Sequence, residues 1–310
     1  MGGLKLLSFY RVRHPFVTIT TLISGPHAPI VDHMNSPVAI GGVGGSGTRV
    51  FAQILMTLGY DLGSDLNSAN DNLWFNLLLY RPRWFASGRR DVRTALDLQR
   101  KHALGQRDLT PRELAFLALA VADITRDAVI DTRPLHWCSR RIREFFRSRP
   151  ASDRWGWKEP ISHLIVGDLL EHFPDGRYIH VVRHGLDMAF SGNQNQTRLF
   201  APLFGVTGQT AAAALSYWVR ANRRAIDQMS SHPDRTLLVN FDRLCLEPAK
   251  EIDRILTFLR VSADISSLAK LPKPPASIGR YRTKSLDGFN PSDLDAVAEI
   301  TEGYSPPKAA

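Results

Sequence analysis

The feature that most constrains this chain is the stretch Pro37 to Arg49, which reads PVAIGGVGGSGTR. Val38, Ala39 and Ile40 form a short apolar run, the size of a buried parallel strand. Five glycines follow within seven residues: Gly41, Gly42, Gly44, Gly45 and Gly47. Val50, Phe51, Ile54, Leu55 and Leu58 then recur at helical spacing up to Gly59, which reads as a C-cap. Strand, glycine loop and helix is the layout that grips phosphate. Glycines let the backbone approach an anion and turn its N–H groups inward, and the helix N-terminus adds a positive dipole. Ser46 and Thr48 add hydroxyl donors. A plain strand-to-helix turn would not need five glycines, so the loop is read as an anion site.

The loop alone leaves the ligand open. Gly42 to Gly47 satisfies G-x-G-x-x-G, with Asp61 or Asp65 about 20 residues on as a ribose ligand. Gly42 to Thr48 also resembles the nucleoside-triphosphate loop, but its lysine is missing, because Gly47 runs straight into Thr48.

At 310 residues the chain is one large domain or two small ones, with 44% apolar and 22% charged residues, as in ordinary globular proteins. We expect residues 1–36 to be an N-terminal extension and 37–310 a single domain. No run of about 18 apolar residues is present, so no membrane span is expected. Cys138 and Cys245 give neither metal spacing nor a disulfide framework, which fits a reducing, cytoplasmic setting. The net charge of +9 suits an anionic ligand or acceptor. Basic residues are scattered and no recognition module is present, so no nucleic-acid partner is expected.

Along the chain, apolar strands alternate with amphipathic helices. Gly59 to Gly63 reads as a short second strand. Asn70 or Asp71 would cap a helix from Leu73 to Pro82. Thr110-Pro111-Arg112-Glu113 reads as a capping box that opens a helix running to about Ile130. A strand should end near Lys158. Arg177 to Arg183 is the clearest strand, bounded by Asp175-Gly176 and His184-Gly185. A long helix follows over Ala211–Met229, then a buried strand over Thr236–Asn240. Strand–helix repetition with short connections predicts an α/β fold of P-loop type: an open, mostly parallel sheet with helices on both faces. Ligands in such sheets sit at the carboxyl ends of strands, so the loops after Ile40, Trp157 and Val182 should converge.

Arg183 ends the clear strand and Ser191 follows eight residues later, about two helical turns on. An arginine and a hydroxyl so placed would hold one phosphate from two sides. The alternative is an arginine paired with Asp187 and a serine in solvent.

Five segments together resemble the sulfotransferase family that uses 3′-phosphoadenosine-5′-phosphosulfate (PAPS). GGVGGSGTR resembles that family's 5′-phosphosulfate loop. IHVVRHGLDMAFS resembles its 3′-phosphate motif. WGWKEP resembles the block that precedes this motif in bacterial and Golgi-type members, and LLVNFDRLCLEPAKEIDRILTFLRV and SIGRYR resemble its C-terminal blocks. The resemblance implies roles. Gly44, Gly45, Ser46, Gly47 and Thr48, with Arg49 close by, would hold the 5′-phosphosulfate. Arg183 and Ser191 would hold the 3′-phosphate, Lys158 would reach the transferring group, and Arg280 and Arg282 would return over the nucleotide. PAPS would be the co-substrate, no metal would be needed, and the acceptor would be a small molecule, glycan or lipid presenting a hydroxyl or amine.

One departure matters. Many members carry lysine or arginine just before Ser-Gly-Thr, where this chain has Gly45. Lys158 or Arg49 must supply that charge, or the protein is a weak or inactive nucleotide binder of the same fold. A nucleotide kinase would need the missing lysine, and a nicotinamide dehydrogenase would leave Arg183 and Ser191 unexplained. The acceptor hydroxyl must lose a proton, so a base is needed. Asp65 is the first choice, with Asp61, Asp71, His136 and His163 as rivals.

Overall fold

The computed structural model describes residues 36–88, 91–127, 133–147 and 151–302; the expected N-terminal extension lies outside the described residues, apart from Ser36. The chain enters strand β1 (Val38–Gly41), crosses the glycine loop and forms helix α1 (Thr48–Thr57). Five helices follow before the next strand: α2 (Leu73–Leu79), α3 (Pro82–Ala86), α4 (Val92–Ala103), α5 (Pro111–Asp127) and α6 (Pro134–Phe146). The connection from β1 to β2 thus carries a run of helices, among them those expected from Leu73 and from Pro111. Strand β2 (Gly156–Lys158) leads through a 3₁₀ turn at Pro160–Leu164 to α7 (Val166–His172) and β3 (Arg177–Val182). Then come α8 (Gly185–Ala189), α9 (Asn195–Phe200), α10 (Ala211–Ser230) and β4 (Thr236–Asn240). Helices α11 (Phe241–Leu246), α12 (Pro248–Leu259), α13 (Ile265–Leu268) and α14 (Pro291–Glu302) complete the described chain.

The four strands form one parallel sheet in the order β2-β1-β3-β4. Alternation along each strand sends its side chains to two separate cores. Val38, Ile40, Ile179, Val181 and Val239 pack against Phe51, Ile54 and Leu55 of α1 and Ile252, Ile255 and Leu259 of α12. Ala39, Tyr178, Val182 and Leu238 face the other side, where Leu169 of α7 and Leu215 and Trp218 of α10 cover them. Both faces are buried, which is why the strands read as unbroken apolar runs.

Two local expectations shift. The strand expected at Gly59–Gly63 is a single bridge between Asp61 and Trp155. The Asp61 carboxylate accepts from the Gly63 N–H at 2.8 Å and turns the chain away from the sheet. Helix α2 is capped by Asn72, whose side chain accepts from the Phe75 N–H, one or two residues later than expected. The capping box of α5 forms as expected: the Glu113 N–H donates to Thr110 Oγ1 and the Thr110 N–H to Glu113 Oε2.

Because β1 is central, the chain leaves it toward β2 and later returns to its other side for β3. That reversal opens a crevice at the carboxyl end of β1, the place where open parallel sheets bind ligands.

Candidate active site at the carboxyl ends of the strands

A cavity of about 890 Å³ occupies that crevice. Its floor is the glycine loop, with Gly44, Gly45, Gly47, Thr48 and Arg49 in the lining. Gly47 has φ +92°, and a Cβ there would meet the Phe241 ring at 2.2 Å, so no other residue fits. Helix α1 starts behind it with no side-chain cap and no acidic residue in its first turn. Its dipole is left for a ligand to complement. Ser46 is buried beneath the loop, and its Oγ has no hydrogen-bond partner. A glycine cradle, an uncapped helix terminus and an orphaned hydroxyl fit a phosphate or sulfate group. Several loop donors are already engaged: the Gly44 N–H donates to Gln196 Oε1 of α9 at 2.6 Å, the Gly42 N–H to the Pro160 carbonyl and the Ser46 N–H to the Val43 carbonyl.

At the β2 end, the loop before α2 brings a carboxylate to the lysine. Lys158 is 1% exposed, lines the cavity and donates to Asp71 Oδ1. Asp71 Oδ2 accepts from Asn67 Nδ2, and Asn67 Oδ1 accepts from the N–H groups of Ala69 and Asp71. The Asn72 N–H donates to the Lys158 carbonyl, which ties this loop to β2. Glu159 is also in the wall, 2% exposed, with its N–H donating to the Ile40 carbonyl. Burial first, then the charge of Asp71, raises the Glu159 pKa well above the usual carboxylate range. Burial likewise pushes the Tyr80 phenol up, so it stays protonated beside them.

At the β3 end stands Arg183. Its Nε lies 3.4 Å from Asp242 Oδ1, its Nη2 donates to Ser277 Oγ, and its guanidinium lies 5.5 Å from the centre of the Phe241 ring. The partner is Asp242, not the Asp187 weighed from sequence. Asp187 accepts from the N–H groups of Gly279 and Tyr281 and so clips the 277–283 segment to α8. His184 stacks on Tyr281, 4.4 Å between ring centres, and reinforces the clip.

The remaining expected residues are placed differently. Ser191 follows α8, where its Oγ accepts from the Asn193 N–H, and it is not in the cavity lining. Arg280 donates to the carbonyls of Ser277 and Phe190, Arg282 is exposed, and neither lines the cavity. Lys273 and Pro275, read from sequence only as a loop, do line it. Asp65, the first choice of base, is drawn to Arg141 of α6 at 3.1 Å and does not line the cavity. Asp71 takes the position at Lys158 instead. His163 is buried, paired with the Pro160 carbonyl, and burial lowers its pKa to about 3. His136 is exposed on α6, outside the lining. Among the described residues, no group of three or more His, Cys, Asp or Glu side chains is placed to hold a metal ion. No helix among them is long and apolar enough to cross a membrane.

The sequence model of the sulfotransferase family matches residues 37–264, from the start of β1 past the end of α12. The chain belongs to the sulfotransferase family. The four-stranded parallel sheet and the glycine loop after its central strand are this family's P-loop-type fold. Solved bacterial sulfotransferases are similar. The sulfotransferase domain of the Synechococcus PCC 7002 olefin synthase is 19% identical at TM-score 0.38, over 88% of this chain and 90% of that one. A Mycobacterium avium sulfotransferase is 14% identical at TM-score 0.41, over 88% and 76%. One from Mycobacterium tuberculosis H37Rv is 16% identical at TM-score 0.41, over 87% and 77%. A search of curated proteins returned no match.

Proposed function

We propose that this sulfotransferase uses PAPS and transfers its sulfuryl group to an acceptor hydroxyl by in-line displacement. The observation that carries this reading is the pairing, across one cavity, of an uncapped helix N-terminus and glycine loop with a buried lysine that holds the half-buried Asp71. The loop residues Gly44, Gly45, Ser46, Gly47, Thr48 and Arg49 bind the 5′-phosphosulfate. Arg183 binds the 3′-phosphate, exchanging Ser277 for phosphate oxygens, with Lys273 on the same side. Ser191, Arg280 and Arg282 are adjuncts that reach the nucleotide by adjustment of their segments. The acceptor enters from the β2 side, beside α2 and α9.

In the reaction the acceptor oxygen bonds to sulfur while the bond from sulfur to the bridging phosphate oxygen breaks. The electron pair of that bond stays on the phosphate oxygen of 3′,5′-ADP. The proton of the acceptor hydroxyl passes to Asp71, the carboxylate of the cavity wall that lies against Lys158. Lys158 and the loop N–H groups meet the charge that grows on the leaving oxygen, as preorganised donors do in phosphoryl transfer. Lys158 thereby replaces the cation missing at Gly45. Gly45 itself has φ +95°, a conformation that glycine adopts readily.

Incubation with sulfur-labelled PAPS and an acceptor panel tests the reading. Label should move to an acceptor as 3′,5′-ADP accumulates, and Lys158→Ala should abolish most of that movement. A protein that binds the bisphosphate yet never moves label would be a nucleotide binder of this fold. A protein that hydrolyses ATP but ignores PAPS would be a kinase-like relative.

A further inference from the structure

Gln196 of α9 is seated on the glycine loop. The Gly44 N–H donates to its Oε1 at 2.6 Å, and a Cβ on Gly44 would meet its Cδ at 2.8 Å and its Cγ at 2.9 Å. The glycine at position 44 thus makes room for this side chain. An N–H can pair only with the carbonyl side of a carboxamide, so the bond also fixes which way the amide faces. The turn beneath it is braced. Gln194 Nε2 donates to the carbonyls of Met188 and Ser191, each at 2.9 Å, and Gln194 Oε1 accepts from Thr197 Oγ1 at 2.7 Å. Gln196 is therefore carried by a turn tied back to α8.

The other half of the carboxamide is uncommitted. Gln196 lines the cavity, and its Nε2 donates to no group among the described residues and is not sealed from the cavity. Bond lengths place that nitrogen within about 5 Å of the Gly44 nitrogen. The loop thus gives up one N–H at Gly44 and receives in exchange an NH₂ with two donors, held farther out. Gly44 belongs to the loop that takes the phosphate in the reading above, and α9 lies on the side by which the acceptor enters. A donor between the two meets the group that passes from one to the other. The non-bridging oxygens of a sulfuryl group accept hydrogen bonds and have no hydrogen to give, which suits an NH₂.

Resting on the sulfotransferase reading above, we propose that Gln196 is a catalytic residue: its Nε2, aimed by the bond from Gly44, donates to a non-bridging oxygen of the sulfuryl group of PAPS. It neither takes nor gives up a proton. It holds the sulfur in line between the acceptor oxygen and the leaving oxygen while one S–O bond forms and the other breaks, as positioned donors do for a phosphoryl group.

Calorimetry on the full chain with PAPS and with 3′,5′-ADP, without acceptor, tests this, because the two ligands differ by the sulfuryl group. Gln196→Ala should weaken PAPS by about tenfold or more, the factor for one hydrogen bond to a charged group, and leave 3′,5′-ADP within about twofold. Retained bisphosphate affinity also shows that the variant is folded. Gln196→Glu keeps an oxygen for the Gly44 N–H and puts a second oxygen where the NH₂ was. It should weaken PAPS more than Gln196→Ala does, and more than it weakens 3′,5′-ADP. In the label-transfer assay kcat/KM should fall in the same order. Equal effects of Gln196→Ala on the two ligands, whether none or large, overturn the proposal, since Gln196 would then be a brace of the loop or nothing to the donor. So does a Gln196→Glu protein that binds PAPS as the wild type does. A wild type that binds 3′,5′-ADP no tighter than ADP overturns the PAPS reading itself, and this inference with it.

Discussion

The two ends of the cavity are built from different kinds of material. The end proposed to hold the nucleotide is made by the sheet: a loop that leaves β1, an arginine that follows β3 and a phenylalanine that follows β4. Its geometry comes from backbone and strand register, so a contiguous motif specifies it. The end proposed to admit the acceptor is made largely by an insertion. Asp71, Asn76 and Tyr80 come from the loop and helix after α1, Arg198 from α9, and Lys158 and Glu159 from a strand end. One end is fixed by the fold; the other is open to change without disturbing the sheet.

The strongest way to break this contrast is at the proton acceptor. Asp71→Asn should lower kcat by about 10²–10⁴-fold, the range for losing a general base. Asp65→Asn should leave kcat close to wild type and lower Tm, because Arg141 loses its buried partner. A dead Asp65→Asn beside an active Asp71→Asn would reverse the assignment.

Next in size is the lysine. Lys158→Ala should reduce kcat by about 10²-fold or more, the range for losing one preorganised donor. Affinity for 3′,5′-ADP should fall far less, since the loop and Arg183 remain. Unchanged turnover would return the missing charge to Arg49.

A smaller effect sharpens the acceptor end through pH. Burial raises the Glu159 pKa above its ordinary value near 4.5, so between that value and the folded one the folded state binds a proton that the unfolded chain has released. Its folded pKa is raised, so its contribution to stability is lost as pH rises from about 4.5 toward the folded value. Glu159→Gln keeps the shape and removes the titration. Thermal melts should show the variant gaining Tm over wild type at pH 8 and not at pH 5. A difference independent of pH would mean that Glu159 is ionised in the fold.

The smallest expected effect is at the clip. Arg282→Ala should change nucleotide affinity less than Arg183→Ala does, because Arg282 is exposed and does not line the cavity. An equal loss from both would show that the 277–283 segment closes fully over the nucleotide.

The contrast also explains what was legible in the sequence. Periodicity gave β1, β3, β4 and α10, because strands buried on both faces and a long amphipathic helix leave strong patterns. The glycine loop and Lys158 were legible as contiguous motifs at strand ends. Asp65 looked like the better base because sequence cannot show that Arg141, far along the chain on α6, takes it. Asp71 differs from it locally by one visible signal, the preceding Asn67-x-x-x-Asp71 turn that aims its carboxylate. Gln196 and Asn76 carried no signal, since a carboxamide on a helix reads as surface until its neighbours are known. Ser191 followed the family spacing, yet the chain bends after Ala189, and its hydroxyl caps its own turn.

The account rests on a second phosphate site distinct from the glycine loop, and calorimetric titration of wild-type protein tests that most directly. An arginine pairing with a phosphate contributes about 1.5–3 kcal/mol, a factor of roughly ten to over a hundred in affinity. The account therefore predicts that 3′,5′-ADP binds at least about tenfold tighter than ADP or AMP, and that Arg183→Ala erases most of the difference while AMP binding stays nearly unchanged. Equal affinity for ADP and 3′,5′-ADP in the wild type would contradict it.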